Sequence, residues 1–278
     1  MPAHDPALSV DADAHRFAFG DNWLSYLSTL DGDRIEQAER SIRELLRVDT
    51  LAGKRFADIG CGSGLFSLAA RRLGATVYSL DFDPQSVECA RLLRNRYAPF
   101  DDGWSIERGS VLDSAHLKSI GLFDVVYSWG VLHHTGDMWR AMHNVTTLVK
   151  PGGTLCMAIY NDQGFASVMW RAMKRAYNRL PDRLRFLVFW PSFVRLWGPT
   201  FLRDSLRGSP LRTWSRYSRE RGMSPLVDVK DWVGGYPFEV ATPEQVERFC
   251  LERGFTLVNG VRRRGIGCNE FVFVRSTP

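Results

Sequence analysis

Three glycines stand two residues apart in the stretch Phe56-Ala57-Asp58-Ile59-Gly60-Cys61-Gly62-Ser63-Gly64-Leu65. Their type and spacing point to ligand binding. A short apolar run ends, the chain turns where no Cβ intervenes, and an apolar, helix-compatible run from Leu65 to Leu73 begins. Glycine admits positive φ and lets a ligand lie directly against the backbone. The free N–H groups at the start of the next helix face that ligand. One carboxylate, Asp58, precedes the turn, and a second, Asp81, ends the next apolar run, Val77-Tyr78-Ser79-Leu80. Farther on, His133-His134 follows another apolar run, Phe123 to Trp129. Histidine is the side chain best suited to taking a proton from a hydroxyl near neutral pH.

These residues need a scaffold, and the pattern supplies one. Strands are expected at 55–59, 76–80, 104–108 and 124–128, with helices at 33–47, 65–73, 84–96 and 137–149 between and around them. A Lys150-Pro151-Gly152-Gly153 turn is expected before a strand over Thr154–Ile159. Strands alternating with helices in this way give a parallel, doubly wound α/β sheet. Its ligands bind outside the carboxyl ends of the strands, which is where the glycines, Asp81 and the histidines all fall. Asp83, just before Pro84, fits the N-cap of helix 84–96 better than Asp81 does, so Asp81 stays available to the ligand. Thr242-Pro243-Glu244-Gln245 carries a capping-box pattern that starts a last helix, and strands at 255–261 and 270–275 form a closing hairpin.

The glycine spacing separates two cofactor classes. A dinucleotide fingerprint requires a small residue where Leu65 stands. The G-x-G-x-G pattern of Gly60, Gly62 and Gly64, with Asp58, Asp81, the 109–113 turn, the 124–135 segment and the Pro-Gly-Gly landmark, instead resembles the class I S-adenosylmethionine (SAM) methyltransferases over roughly residues 50–160. The resemblance implies a Rossmann-like, mostly parallel seven-stranded sheet with a C-terminal antiparallel hairpin. It implies SAM as cofactor and S-adenosylhomocysteine as its product. Asp58, Gly60, Cys61, Gly62, Gly64 and Ser128 would border the cofactor, Asp81 and Phe82 its ribose side, and Ser110 and Val111 its adenine. The pattern looks closest to the branch that methylates quinols and natural products. On that reading the acceptor is a small aromatic or amphiphilic hydroxyl compound. His134 is favoured slightly over His133 as base, and both are also read as pocket-shaping residues that move no proton. Trp23, Trp129, Tyr160, Trp232 and Tyr236 would line the acceptor pocket. No metal is implied.

Composition narrows the class. With 45% hydrophobic and 24% charged residues, the chain reads as an ordinary soluble globular protein. Five dispersed cysteines without a CxxC pair suit reduced thiols, and no secretory signal is visible, so a cytoplasmic location is expected. Four segments are anticipated. Residues 1–50 cover the cofactor pocket, 51–161 form the SAM-binding core, 162–240 form a helical insertion, and 241–278 return to the core. Turns are expected inside the insertion at Gly198-Pro199 and Gly208-Ser209-Pro210.

The net charge of +5 is unevenly spread, because residues 162–222 hold 13 Lys and Arg against four Asp and Glu. Three readings of this aromatic, basic insertion stay open: an apolar lid over the acceptor, an amphipathic contact with a membrane surface through 182–203, and a groove for RNA. The lid is favoured. Nucleic acid is disfavoured because Tyr127-Ser128-Trp129-Gly130 lacks the Asn/Asp-Pro-Pro-Tyr/Phe pattern of nucleobase methyltransferases. The acidic double loop of arginine methyltransferases is also missing. A protein that binds SAM without turnover is a further alternative, and the oligomeric state is not legible.

Overall fold

The computed structural model describes residues 27, 30–221, 225–263 and 265–277, with side chains undescribed over 218–221. Trp23, expected in the acceptor pocket, lies outside them, as does most of the segment expected to cover the cofactor.

Seven strands form one sheet in the order β3-β2-β1-β4-β5-β7-β6. They are β1 (Arg55–Ile59), β2 (Thr76–Asp81), β3 (Trp104–Arg108), β4 (Phe123–Trp129), β5 (Val149–Tyr160), β6 (Phe255–Val261) and β7 (Cys268–Arg275). The first five run parallel and β7 pairs antiparallel with both β5 and β6, as the sequence implies. The order reverses between β1 and β4, and a ligand crevice opens at such a switch point.

Helices cover both faces. On one face α1 (Gly32–Leu46), α2 (Leu65–Arg72) and α3 (Pro84–Tyr97) pack over Phe56, Val77, Val125 and Tyr127. On the other, α4 (Ser114–Ser119), α5 (Met138–Thr147) and the later helix Pro243–Leu251 pack over Ala57, Ile59, Leu80 and Val126. Residues alternate between the two layers along each strand, as the pleat requires. That alternation puts Asp58 on the face that α2 covers. The capping residues act as their types dictate. Asp83 Oδ1 accepts the Gln85 N–H at the start of α3, and Thr242 and Gln245 complete a reciprocal capping box.

Two local expectations are corrected. The Pro-Gly-Gly segment is not a turn that precedes a strand. It lies within β5, which begins at Val149, and the irregularity shows as a register shift against β4 between Phe123 and Val125. Helix α5 accordingly stops at Thr147.

The insertion is helical: α6 (Phe165–Arg179), α7 (Phe186–Leu206), α8 (Arg212–Arg221) and α9 (Pro225–Gly234) lead to the helix Pro243–Leu251, which is α10. Helix α7 runs straight through Gly198-Pro199, where a turn was expected, and also through Pro191. Each proline removes a helical N–H, but the helix is held by packing. Phe189, Phe193, Trp197 and Phe201 lie against Tyr177, Trp214, Tyr217, Val229 and Val233 in a separate aromatic core. A turn does follow at Gly208, as expected.

A strap from Pro237 to Ala241 ties the insertion back to the sheet. Glu239 N–H donates to the His133 carbonyl (3.0 Å) and Ala241 N–H to the Tyr160 carbonyl (3.1 Å). Glu239 Oε2 accepts the Met138 N–H at the start of α5 (3.0 Å). Burial, more than any charge, raises the Glu239 carboxyl from 4.5 to about 7. The folded protein therefore holds a proton that the unfolded chain loses above about pH 4.5. Stability linked to Glu239 is full below that pH and is lost as pH rises through about 7, a displacement worth about 3 kcal/mol. Urea denaturation across pH 4–8 should show a steeper fall in stability in the wild type than in Glu239→Gln, which keeps the part due to Asp58. Parallel curves for the two proteins would contradict the raised carboxyl.

Candidate active site

The glycine turn is locked from below. Gly60 and Cys61 donate their N–H groups to the Leu80 carbonyl at 2.6 and 3.2 Å. Gly60 has φ 82°, and a Cβ there would lie 2.4 Å from both Val131 methyls. The turn thus presses against the loop that carries the histidines. Gly64, φ 81°, caps α2, and its own Cβ would fall 2.9 Å from Ala90 Cβ on α3. Neither position accepts a side chain, for separate reasons of approach and of backbone angle.

Two carboxylates flank this turn in different environments. Asp58 is 2% exposed and accepts a 2.5 Å bond from Ser67 Oγ on α2. Ser67 Oγ lies 2.7 Å from Ser79 Oγ, which accepts the Trp104 indole N–H at 2.8 Å. This buried chain stitches β1, β2, β3 and α2 together. Desolvation raises Asp58 to about 7 against the opposing bond from Ser67. Asp81 is only partly buried and sits at the end of β2. Its Oδ2 accepts the Gly62 N–H and its Oδ1 the Asp83 N–H, both at 2.9 Å. Each carboxylate oxygen accepts through two lone pairs, the chemistry that a pair of neighbouring hydroxyls requires.

The other cofactor-side residues are placed around Asp81. Phe82, 42% exposed, follows it directly. Gly109 N–H donates to the Asp81 carbonyl (2.9 Å), which brings Ser110 and Val111 to the same edge. Ser110 Oγ accepts the Leu112 N–H, and the Val111 carbonyl accepts from Asn144. Two side chains on this edge turn inward. The Cys61 thiol is buried among the α1–α3 residues, and burial pushes its pKa well up. The Ser128 hydroxyl donates to the Ile59 carbonyl at 2.8 Å. Both shape the floor of the turn.

The two histidines differ in protonation. His134 Nδ1 lies 2.6 Å from the Pro237 carbonyl. A carbonyl only accepts, so Nδ1 carries the hydrogen and the neutral ring has its lone pair on Nε2. His133 is fully buried, and its Nδ1 accepts the Tyr160 N–H at 3.4 Å. In that tautomer the hydrogen is on Nε2, which has no partner, and the Ala158 carbonyl also acts on the ring. Burial first, and then the neighbouring His134 and Lys174, hold His133 well below the ordinary histidine range.

Aromatic rings close the site. The His133 ring is 3.8 Å from the Tyr160 ring, and Trp232 and Phe238 meet the same tyrosine at 5.2 and 5.4 Å. Trp129 is 43% exposed at the end of β4, and Tyr236 is half-buried in the strap. The remaining insertion aromatics pack on one another, not around Tyr160; Trp232 and its T-shaped neighbour Trp170 are the exceptions.

Sequence reasoning missed Lys174 and Glu239. Lys174 is fully buried with its ammonium over the Trp232 ring at 4.2 Å and the Phe238 ring at 4.7 Å. Its buried neighbours on α6 are Ser167, Trp170 and Tyr177. That i, i+3, i+7, i+10 spacing was the available signal, because it puts the lysine on the inward stripe.

The chain is similar to known proteins in sequence and fold. Residues 57–157 match the family described as a methyltransferase domain. The ubiquinone biosynthesis O-methyltransferase of Azotobacter vinelandii is 30% identical over 159 residues, 57% of this chain and 63% of that one. The enzyme of the same name from Xanthomonas campestris pv. campestris is 37% identical over 111 residues, 40% of this chain and 45% of that one. The chain thus spans about half the length of the curated relatives it matches. Among solved structures, a magnesium protoporphyrin IX methyltransferase from Synechocystis with bound SAM aligns over 99% of this chain and all of that one, at TM-score 0.56 and 13% identity. A SAM-dependent methyltransferase from Mesorhizobium loti aligns over 88% of this chain and 99% of that one, at TM-score 0.51 and 17% identity. Residues 57–157 thus resemble a methyltransferase domain, and the chain has the fold of the class I SAM-dependent methyltransferases.

Proposed function

We propose that the protein transfers a methyl group from SAM to a hydroxyl of a small aromatic or amphiphilic compound. The contact between the glycine turn and the histidine loop carries this reading, because Gly60 against Val131 sets the cofactor edge beside His134. The turn suits the cofactor, since its three glycines at positive φ leave a backbone against which a ligand can lie directly. Gly60, Gly62 and Gly64 would lie along SAM, Asp81 would accept its ribose hydroxyls, and Phe82, Ser110 and Val111 would border its adenine. When bound, SAM supplies an electrophilic methyl group on a sulfonium.

The acceptor hydroxyl must lose its proton as the new C–O bond forms. His134 suits that step: the Pro237 carbonyl orients its ring and leaves the Nε2 lone pair as proton acceptor. His133 does not compete for the role, because its Nδ1 lone pair is taken and its Nε2 is a donor. Trp129, Tyr160, Trp232 and Tyr236 would border the acceptor and keep water out.

Calorimetric titration should find SAM binding about 100-fold weaker in Asp81→Ala, the loss expected for two hydrogen bonds to a charged acceptor. Unchanged affinity would overturn the cofactor placement. With methyl-labelled SAM and a solvent-extracted phenol and lipid fraction as acceptors, His134→Gln should lower kcat by about 10²–10⁴ while SAM affinity holds.

We further propose that residues 182–203 contact a membrane surface. No helix among the described residues is long and apolar enough to cross a bilayer. Yet Phe186, Leu187, Trp190 and Val194 are 52–64% exposed along α7, with exposed Arg183 and Arg195 near them. Apolar side chains beside arginine suit an anionic lipid interface. The protein should sediment with phosphatidylglycerol vesicles more than with phosphatidylcholine vesicles, and Trp190→Glu with Val194→Glu should abolish the difference.

A further inference from the structure

Among the described residues, only three buried side-chain nitrogens have no hydrogen-bond partner: His133 Nε2, Trp232 Nε1 and Arg253 Nε. Two of these three flank one ring, that of Tyr160, with His133 at 3.8 Å and Trp232 at 5.2 Å. Lys174 meets the same ring, its Nζ 5.9 Å from the centroid. An unsatisfied buried donor costs about 1–3 kcal/mol, and clustered donors concentrate that cost at one place. They also share a sign. His133 Nε2 and Trp232 Nε1 are N–H donors, and the lysine ammonium has three donors and no acceptor.

Lys174 sharpens the point. Its ammonium donates to a neutral group, the Trp232 carbonyl. Around it are the faces of Trp232, Phe238 and Tyr160, which favour a cation only modestly. The groups acting on this cluster are Asp231 on α9, which with Asp228 also acts on Tyr160, and the neighbouring His134. Burial outweighs the attraction of Asp231 and lowers Lys174 from 10.5 to about 7. An amine held in this way gains most from an anion that arrives with its own charge and leaves with it.

We propose that Lys174, His133 and Trp232 form a subsite for an anionic oxygen of the acceptor, next to His134. This deepens, and rests on, the reading of the site as the acceptor pocket of a methyltransferase. The anionic oxygen is either a carboxylate substituent of the acceptor or its ionised phenolic hydroxyl. The His133 and His134 rings are 4.5 Å apart. An anion beside His133 therefore stands within one ring's width of the proposed base, close enough to fix which hydroxyl reaches it.

Binding without turnover tests the subsite. Benzoate, 4-nitrophenolate and benzyl alcohol, each added at pH 7, where Lys174 still carries its proton in about half of the molecules, to the SAM-saturated full chain, can be followed by tryptophan fluorescence and calorimetry. At least one of the two anions should bind tenfold or more tightly than benzyl alcohol. That preference should fall at least tenfold in Lys174→Met and in Trp232→Phe, the second of which removes the lone N–H while keeping a ring. A preference for benzoate assigns the subsite to a carboxylate, and one for 4-nitrophenolate assigns it to the ionised hydroxyl. Equal binding of all three probes, or a preference that survives both substitutions, overturns the proposal. SAM affinity, measured on the same samples, reports separately on the methyltransferase reading and shows that each variant is folded.

Discussion

The site depends on a steric fact at Gly60. The backbone there has φ 82°, and the space where a Cβ would project is filled by the two methyl groups of Val131. This close approach holds the end of β1 against the loop after β4, across the point where the strand order reverses. Gly62 N–H and the Asp81 carboxylate then join the turn to the end of β2, and Gly109 N–H joins β3 to the same residue. Four strand ends are thereby set relative to one another by backbone groups, before any ligand is present. Electrostatic and steric preorganisation of this kind is what a displacement reaction needs most from a protein.

Buried titratable groups cluster around that edge. Asp58 and Glu239 are pushed up to about 7, Lys174 is pushed down to about 7, and His133 is held neutral. In each case desolvation is the first cause, so the site is a dry one. The partners separate structure from function. Asp58 has its serine chain and Glu239 has the N–H groups at the start of α5, so both are satisfied members of the framework. His133 and Trp232 have donors with nothing to receive them. Perturbed groups that are also unsatisfied are the ones that mark a binding surface.

Legibility in the sequence followed the range of the interaction. Asp83 and Thr242 cap the helices that their spacing announced, because a cap bonds to residues two or three positions away. Strand β2 and Asp81 at its end were readable for the same reason: burial alternates locally, and the ligand edge follows from topology. Pro191 and Pro199 misled because local preference opposes a helix there, while the aromatic packing that overrides it comes from α6, α8 and α9. Lys174 was not singled out, because only its spacing with Trp170 and Tyr177 marks the inward stripe. Which nitrogen of His134 carries the hydrogen was not readable at all, since Pro237 is 103 positions away.

The insertion therefore does two jobs with different residues. Phe189, Phe193, Trp197, Phe201 and Trp214 form a core of their own, outside the two cores of the sheet. Trp232 belongs to the rim of that core and also stacks on Tyr160, while Phe238 and Pro237 of the strap meet Tyr160 and His134. The insertion reaches the chemistry through this narrow junction, not through its aromatic bulk. Changes in its outer helices are buffered by their own packing, whereas a change at Trp232 or in the strap moves the base, the tyrosine and the buried lysine together. On the proposed function, acceptor choice would be concentrated in these few residues and would leave the sheet untouched.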